Sequence, residues 1–182
     1  VKGGGSYWKE ADGTFWRMYR FVEDAVSYDV VERPEDFYES ALAFGHFQKL
    51  LADYPADSLH ETIPNFHNTV DRLNNFKKAA EADPLNRASE VAEEIRFVLD
   101  REEDCHVLCD LLASGEIPLR VTHNDTKLNN IMLDQITRKG ICVIDLDTVM
   151  PGSALYDYGD SIRFGANTGA EDEKDLSKVS CD

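Results

Sequence analysis

The apolar pattern of this chain changes near Ile117, and this change limits the folds that the chain can adopt. Between residues 34 and 113 apolar side chains recur every three or four positions, which predicts amphipathic helices. After Ile117 they form the short runs LRVT, NIML and ICVID, separated by polar loops, which predicts short strands. We therefore expect an α+β fold in which a mostly helical region carries a small β-sheet at one edge.

Three helices are predicted before this change and one after it. Pro34 opens the first helix, and acidic residues follow in its first turn. The second covers about residues 68–82, and the third runs from about 87 to 113 and stops at Gly115. A fourth is expected from Tyr156. The side chains expected to form the core face of the first helix are Phe37, Ala41, Leu42, Phe44, Gln48 and Leu51.

A β-hairpin is predicted near the N-terminus. The segments SYWKE and TFWRMYRFV alternate aromatic and polar residues on either side of Asp12-Gly13, and Asp-Gly favours a hairpin turn. We expect the aromatic side chains Trp8, Phe15 and Trp16 to pack within the protein rather than to stack on a ligand. The unpaired edge of the second strand offers a route to self-association.

The charge of the chain excludes several classes of partner. Asp and Glu outnumber Lys and Arg by 35 to 19, and the resulting net charge of −16 repels nucleic acids and anionic membranes. An anionic ligand would therefore need a local cation, for which a divalent metal is the obvious candidate. No apolar run approaches the roughly 18 residues of a membrane span. We expect a cytoplasmic protein whose four cysteines are free thiols.

The polar loop HNDTKLNN, residues 123–130, carries the side chains with the clearest chemistry. Asp125 precedes Asn130 by five residues, and Asp145 follows fifteen residues later, directly after an apolar run. Amide and carboxylate oxygens suit Mg²⁺, so we expect Asn130 and Asp145 to be metal ligands. Asp125 is then available to accept a hydroxyl proton, and Lys127 can face a phosphoryl group during its transfer.

Two segments carry a resemblance to known enzymes. HNDTKLNN fits the H-x-D-x-x-x-x-N catalytic loop of protein kinases and of the aminoglycoside phosphotransferase and choline kinase group. The segment from VIDLDTVMPG to LYDYGDSIRFGANT resembles the metal segment of the N-acetylhexosamine 1-kinases within that group. The similarity extends through RFVEDAVSYD and FHNTVDRL, so it covers nearly the whole chain.

This resemblance implies a protein-kinase-like fold and a reaction that uses ATP and Mg²⁺ to phosphorylate a sugar, an N-acetylhexosamine, at its anomeric hydroxyl. Asp125 resembles the base of that reaction, and Asn130 and Asp145 resemble the metal ligands. The segment Glu23-Asp24-Ala25 resembles the hinge whose backbone meets adenine, and Met132 and Ile144 would line the adenine pocket. Asp147 would contact the sugar or support a residue that does.

The resemblance also implies a division of the chain. Residues 1–25 correspond to the end of the N-terminal lobe, and residues 26–182 correspond to the C-terminal catalytic lobe. A Gly-rich loop and the Lys-bearing strand of such kinases do not precede residue 6, so we expect a truncated kinase with little turnover by itself. Asp-Leu-Asp stands where protein kinases have Asp-Phe-Gly, and no Ala-Pro-Glu follows, which favours a small-molecule acceptor.

Two other functions fit parts of the sequence. The segment DLDT fits a phosphatase motif in which Asp145 is the nucleophile and Asp147 the acid or base, although its place late in the chain counts against this. The same residues can also hold structure in a binding module without turnover. For His123 we expect a structural role, for Asp157 a helix cap or a brace for the catalytic loop, and for Arg163 an internal salt bridge.

Overall fold

The computed structural model describes residues 5–169 and 173–181 and confirms the α+β fold. The helices in this part of the chain are α1 (Pro34–Leu50), α2 (Thr69–Ala82), α3 (Ala92–Leu99), α4 (Glu102–Ser114) and α5 (Ala154–Gly165). The strands are β1 (Trp8–Lys9), β2 (Phe15–Trp16), β3 (Ala25–Val26), β4 (Arg120–Thr122), β5 (Ile131–Asp134), β6 (Gly140–Val143) and β7 (Met150–Gly152). None of the described helices is long and apolar enough to cross a membrane.

The strands pair antiparallel in three small sheets. β1 pairs with β2, β4 pairs with β7, and β5 lies between β3 and β6. The β5–β6 connection contains Arg138 at a φ of 57°, within the turn that the sequence predicts. Because β4 and β5 flank the polar loop of residues 123–130, two different sheets fix the ends of that loop.

The core lies between α1 and the β3–β5–β6 sheet. Phe44 of α1 packs against Ile131 and Leu133, which point to the same face of β5 because strand side chains alternate. Met132 therefore points to the opposite face, where it is paired with Cys142. One face of β5 thus packs in the core, and the opposite face is half-buried.

The buried face of α1 differs from the predicted one. Phe44 is buried as expected, but Ala41 and Leu42 are exposed, and Asp36 and Ser40 are buried instead. The cause is an ion pair, because the guanidinium of Arg138 donates to both carboxylate oxygens of Asp36 at 2.9 and 2.6 Å. Hydrogen bonds from Arg138 hold the pKa of Asp36 below its usual value. Apolar periodicity does not reveal a buried ion pair, so the buried face of α1 is rotated from the predicted one.

The predicted helix from 87 to 113 is three separate pieces. A 3₁₀ turn at Ala88–Val91 precedes α3, and α3 ends before α4 begins at Glu102. Three acidic residues occupy the first turn of α4, where they favour a new helix N-terminus. The predicted stop is confirmed, since Gly115 adopts a φ of 76° at the end of α4.

The N-terminal hairpin is present but much shorter than expected. Its second strand ends at Trp16, so the run through Val22 is not a continuous strand. The expectation that its aromatics pack inside the protein was wrong, because Trp8, Phe15 and Trp16 are each more than half exposed. Two-residue strands are too short to bury both of their faces, and the cross-strand contacts of this hairpin leave these rings open to solvent.

Candidate active site

The loop that carries Asp125 is held by the first two turns of α5. The carboxylate of Asp157 accepts hydrogen bonds from the backbone N–H groups of His123 and Asn124 at 3.0 and 2.7 Å. The carboxylate of Asp160 accepts from the backbone N–H of Thr126 at 2.7 Å. The bracing role considered for Asp157 is therefore confirmed, whereas the contribution of Asp160 was not predicted.

Asp157 is buried, and two features of its environment shift its pKa in opposite directions. Burial raises the pKa of Asp157, because it disfavours the charged form. The donors on His123, Asn124 and the Gln48 side chain favour the carboxylate and offset part of this rise. Of the two carboxylates that hold the loop, Asp157 is thus the one whose burial carries a cost, which its three hydrogen bonds partly offset.

His123 has the structural role that the sequence suggested. Its ring is fully buried and packs edge-on against Phe44 and Phe47, at centroid distances of 5.1 and 5.7 Å. Its Nε2 lies 2.9 Å from the carbonyl of Ile144, and its Nδ1 accepts from the backbone N–H of Asp125 at 3.4 Å. This pattern assigns the ring hydrogen to Nε2. Both nitrogens have protein partners, so His123 does not act on a substrate.

Asp125, Lys127 and Asn130 form one connected group. The Asn130 amide nitrogen donates to the backbone carbonyl and to the Oδ2 of Asp125, at 2.8 and 2.9 Å. The Lys127 ammonium lies 3.3 Å from the other carboxylate oxygen of Asp125, whose side chain is 24% exposed. Asp125 is thus oriented by two neighbours and remains accessible to a ligand, which a general base requires.

The backbones of Asn130 and Asp145, the two predicted metal ligands, lie close together. The backbone N–H of Ile144 donates to the carbonyl of Asn130 at 2.9 Å, and Asp145 follows directly. Asp145 has a φ of 56°, a left-handed conformation that Asp tolerates better than most residues, and it is exposed. Within the described ranges its carboxylate forms no hydrogen bond or ion pair, and the Asn130 amide nitrogen is already used.

These two side chains offer oxygen atoms of the kind that Mg²⁺ prefers. Mg²⁺ is usually bound by one or two protein side chains together with phosphate oxygens and water. In the described part of the chain no three His, Cys, Asp or Glu side chains form a metal cluster, so this pair is not part of an all-protein cage. The donor set therefore fits a cation that also binds a nucleotide.

Asp147, predicted to contact the sugar, has a protein partner. Its carboxylate forms an ion pair with Arg17, from the segment after β2, and its backbone carbonyl accepts from the Thr62 hydroxyl at 3.1 Å. The hydrogen bond to Asp147 raises the pKa of Arg17. A sugar contact by Asp147 would have to compete with Arg17, and this role stays a prediction.

The residues predicted to bind adenine lie around the β3–β5–β6 sheet. Ala25 is in β3, opposite Asp134 of β5, and Glu23 is exposed two residues before it. Met132 lies on the face of β5 away from the core, and Ile144 follows β6 directly. The structure therefore places these four residues on one sheet and its entry segment, while their contact with adenine stays a prediction.

A cavity of about 570 Å³ opens beside Asp125 and was not predicted. Its wall on one side comes from α2 and the segment before it, and on the other side from α5. His67 stacks on Tyr156 with their centroids 5.0 Å apart, and its Nε2 lies 3.1 Å from the carbonyl of Asn124. The predicted internal salt bridge of Arg163 is confirmed, with Asp160 at 2.9 Å. The main side chains of the wall are Phe66, His67, Arg72, Tyr156, Asp160 and Arg163.

No sequence signal marked this wall before the structure was known. FHNTVDRL contributes three of these side chains, yet their roles depend on α5, which is distant in the sequence.

A comparison with protein families bears on the whole site. A sequence model of the phosphotransferase enzyme family matches residues 4–178 of the chain. The matched region includes both the loop with Asp125 and Asn130 and the segment with Asp145.

Proposed function

The chain belongs to the phosphotransferase enzyme family, and we propose that it is a sugar kinase that transfers the γ-phosphoryl group of ATP to an N-acetylhexosamine. The kinase group expected from HNDTKLNN is confirmed by this family, as is the general activity of phosphoryl transfer. The hexosamine acceptor and transfer to its anomeric hydroxyl belong to the proposal. They are supported by the resemblance of the segment around Asp145 and Asp147.

The observation that carries the proposal is the position of Asp125. Its carboxylate is held by Asn130 and Lys127, and it lines a cavity large enough for a monosaccharide. In the proposed reaction an oxygen of Asp125 takes the proton of the sugar hydroxyl while that hydroxyl oxygen bonds to the γ-phosphorus. The bond from phosphorus to the bridging oxygen then breaks, and ADP leaves.

The remaining residues of the site position the nucleotide. Asn130 and Asp145 would hold Mg²⁺, which, when bound, neutralises charge on the phosphates. The backbone hydrogen bond from Ile144 to Asn130 brings the backbone of Asn130 close to that of Asp145, which follows Ile144. Lys127, beside Asp125, presents positive charge toward the phosphoryl group. The backbone of Glu23 and Ala25 would meet adenine, with Met132 and Ile144 beneath it.

The further expectations from the sequence follow from this proposal. Residues 1–25 would form the end of a nucleotide-binding lobe and residues 26–182 the catalytic lobe. ATP-dependent phosphorylation of a sugar is consistent with a cytoplasmic enzyme. Self-association through the edge of β2 stays a prediction, and so does a function as a binding module without turnover.

An assay of ADP release with identification of the product tests the proposal. The protein is incubated with ATP, Mg²⁺ and a panel of hexoses, N-acetylhexosamines, choline and aminoglycosides, and phosphorus NMR locates the new phosphate. We expect an anomeric hexosamine phosphate, and about 10²-fold or greater loss of turnover in Asp125→Asn. Asp53→Asn, an exposed site outside the cavity, is the matched control. Turnover of choline or an aminoglycoside alone would leave the family intact and refute the sugar acceptor.

A further inference from the structure

We propose that Arg72 determines which acceptors the cavity beside Asp125 takes, by binding an oxygen of an uncharged acceptor and repelling a protonated amine. The inference rests on the proposed function, because it assumes that the acceptor sits in this cavity. It adds a residue that neither the motifs nor the family resemblance assigns. Arg72 lies near the start of α2 and lines the same cavity as the proposed base.

The charges that line the cavity do not balance. Its carboxylates are Asp125 and Asp160, and each has a cation beside it: Lys127 lies 3.3 Å from Asp125, and Arg163 lies 2.9 Å from Asp160. Arg72 is a third cation in the lining. Among the described residues that line this cavity, cationic side chains therefore outnumber carboxylates by three to two, in a protein whose net charge is −16.

Arg72 is held by the backbone and by an aromatic ring, and not by a carboxylate. Its Nε and Nη2 both donate to the carbonyl of Phe66, the first at 2.8 Å, and its guanidinium lies 5.8 Å from the centroid of the Phe66 ring. The neighbouring Asp71 accepts instead from the Asn75 amide at 3.1 Å. Within residues 5–169 and 173–181 the guanidinium has no carboxylate in ion-pair contact. An arginine has five N–H donors, so donors remain for a ligand.

This arrangement distinguishes acylated from free amino sugars by simple electrostatics. The carbonyl oxygen of an acylated amine accepts hydrogen bonds, and the guanidinium of Arg72 is a charged donor. A free amino group at the same position is protonated near neutral pH and would meet a like charge. Hydrogen bonds to charged groups change an affinity by about 10- to 100-fold, so one residue is sufficient for a measurable preference.

The test compares two sugars that differ only at the amine, N-acetylglucosamine and glucosamine, at about pH 6.5, where an aliphatic amine is protonated. We expect Arg72→Gln to lower kcat/KM for N-acetylglucosamine by about 10- to 100-fold and to raise kcat/KM for glucosamine, because the like charge beside its amine is removed. Arg72→Glu should favour glucosamine over N-acetylglucosamine. Arg87→Gln, outside this cavity and paired with Glu90, is the matched control.

The ratio between the two sugars separates selection from a structural effect. Both variants lose the hydrogen bonds of Arg72 to Phe66. Damage to the fold would therefore lower kcat/KM for both sugars by the same factor and would also lower Tm. An equal loss for both sugars, or no loss in Arg72→Gln, overturns the role of Arg72. Saturation-transfer NMR measures sugar binding independently of turnover. If the parent protein binds and phosphorylates neither sugar, the proposed function fails; if it uses both equally, the function stands and only the selection by Arg72 is refuted.

Discussion

Replacement of Asp157 by Asn tests how the catalytic loop is held. One carboxylate oxygen accepts from Asn124, and the other accepts from His123 and from the Gln48 side chain. An amide keeps only one acceptor oxygen, so its NH₂ group would face either the N–H of Asn124 or the N–H groups of His123 and Gln48. A buried backbone N–H, of Asn124 or of His123, then loses its partner, and an unpaired buried donor costs about 1–3 kcal/mol.

An opposing effect reduces this cost. Burial raises the pKa of Asp157, so its charged form destabilises the fold at neutral pH, and Asn carries no such charge. The one or two lost hydrogen bonds alone would amount to about 1–4 kcal/mol, and we expect the relief of desolvation to leave a net loss of about 1–3 kcal/mol. The loop would still fold but with Asp125 displaced, which lowers kcat by about 10- to 100-fold while KM for ATP stays constant.

The pH dependence gives this prediction a definite sign. A carboxyl group whose pKa is raised by folding contributes stability that is complete below its unfolded value, about 3.9, and is lost as the pH rises through the folded value. The stability gap between the parent protein and Asp157→Asn should therefore narrow as the pH rises from about 4.

Urea unfolding followed by circular dichroism across this range measures the gap, and Asp110→Asn, on an exposed position of α4, is the control. A gap that widens with pH would show that folding favours the charged form of Asp157 and would refute the raised pKa of this carboxyl group. An unchanged kcat in Asp157→Asn would refute the anchoring role itself.

Three further predictions concern other contacts. Arg138→Met should lower Tm, because it removes the main partner that holds the pKa of Asp36 down. That lowered pKa stabilises the fold above about pH 4, so thermal scans should show a smaller fall in Tm on acidification in the variant than in the parent protein. Asp145→Asn should weaken Mg²⁺-dependent ATP binding by about tenfold or more in calorimetry, and equal affinities would exclude Asp145 from the metal site. Gly165→Ala should cost about 1–3 kcal/mol in urea unfolding, because an added Cβ would lie 2.2 Å from the Phe37 ring; no loss would mean that α1 and α5 can separate there.

The parts of the site that the sequence predicted are those set by local chemistry. Asp125, Lys127 and Asn130 share one short loop, and their contacts follow from spacing within it. The start of α1 at Pro34 and the end of α4 at Gly115 were predicted for the same reason, since both depend on the conformational preferences of single residues.

The parts that the sequence missed depend on contacts between distant segments. Asp36 and Arg138 are 102 residues apart, and nothing near either residue shows that they pair. His67 meets the loop that carries Asp125 from 57 residues away, and only its stacking on Tyr156 of α5 makes it part of a cavity wall. The break between α3 and α4 was missed because apolar periodicity continues across it, and only the acidic first turn of α4 marks the new helix.

The peptide groups of Ile144 have a consequence for how such an enzyme can change its substrate. The N–H of Ile144 binds the carbonyl of Asn130, and its carbonyl binds the ring of His123, two residues before Asp125. The proposed base and the proposed metal ligands are therefore tied together through the peptide groups of one residue. Arg72, near the start of α2, lies outside these ties. Under the proposal for Arg72, acceptor preference can change through substitutions at the start of α2 while the groups proposed to transfer the phosphoryl group stay in place.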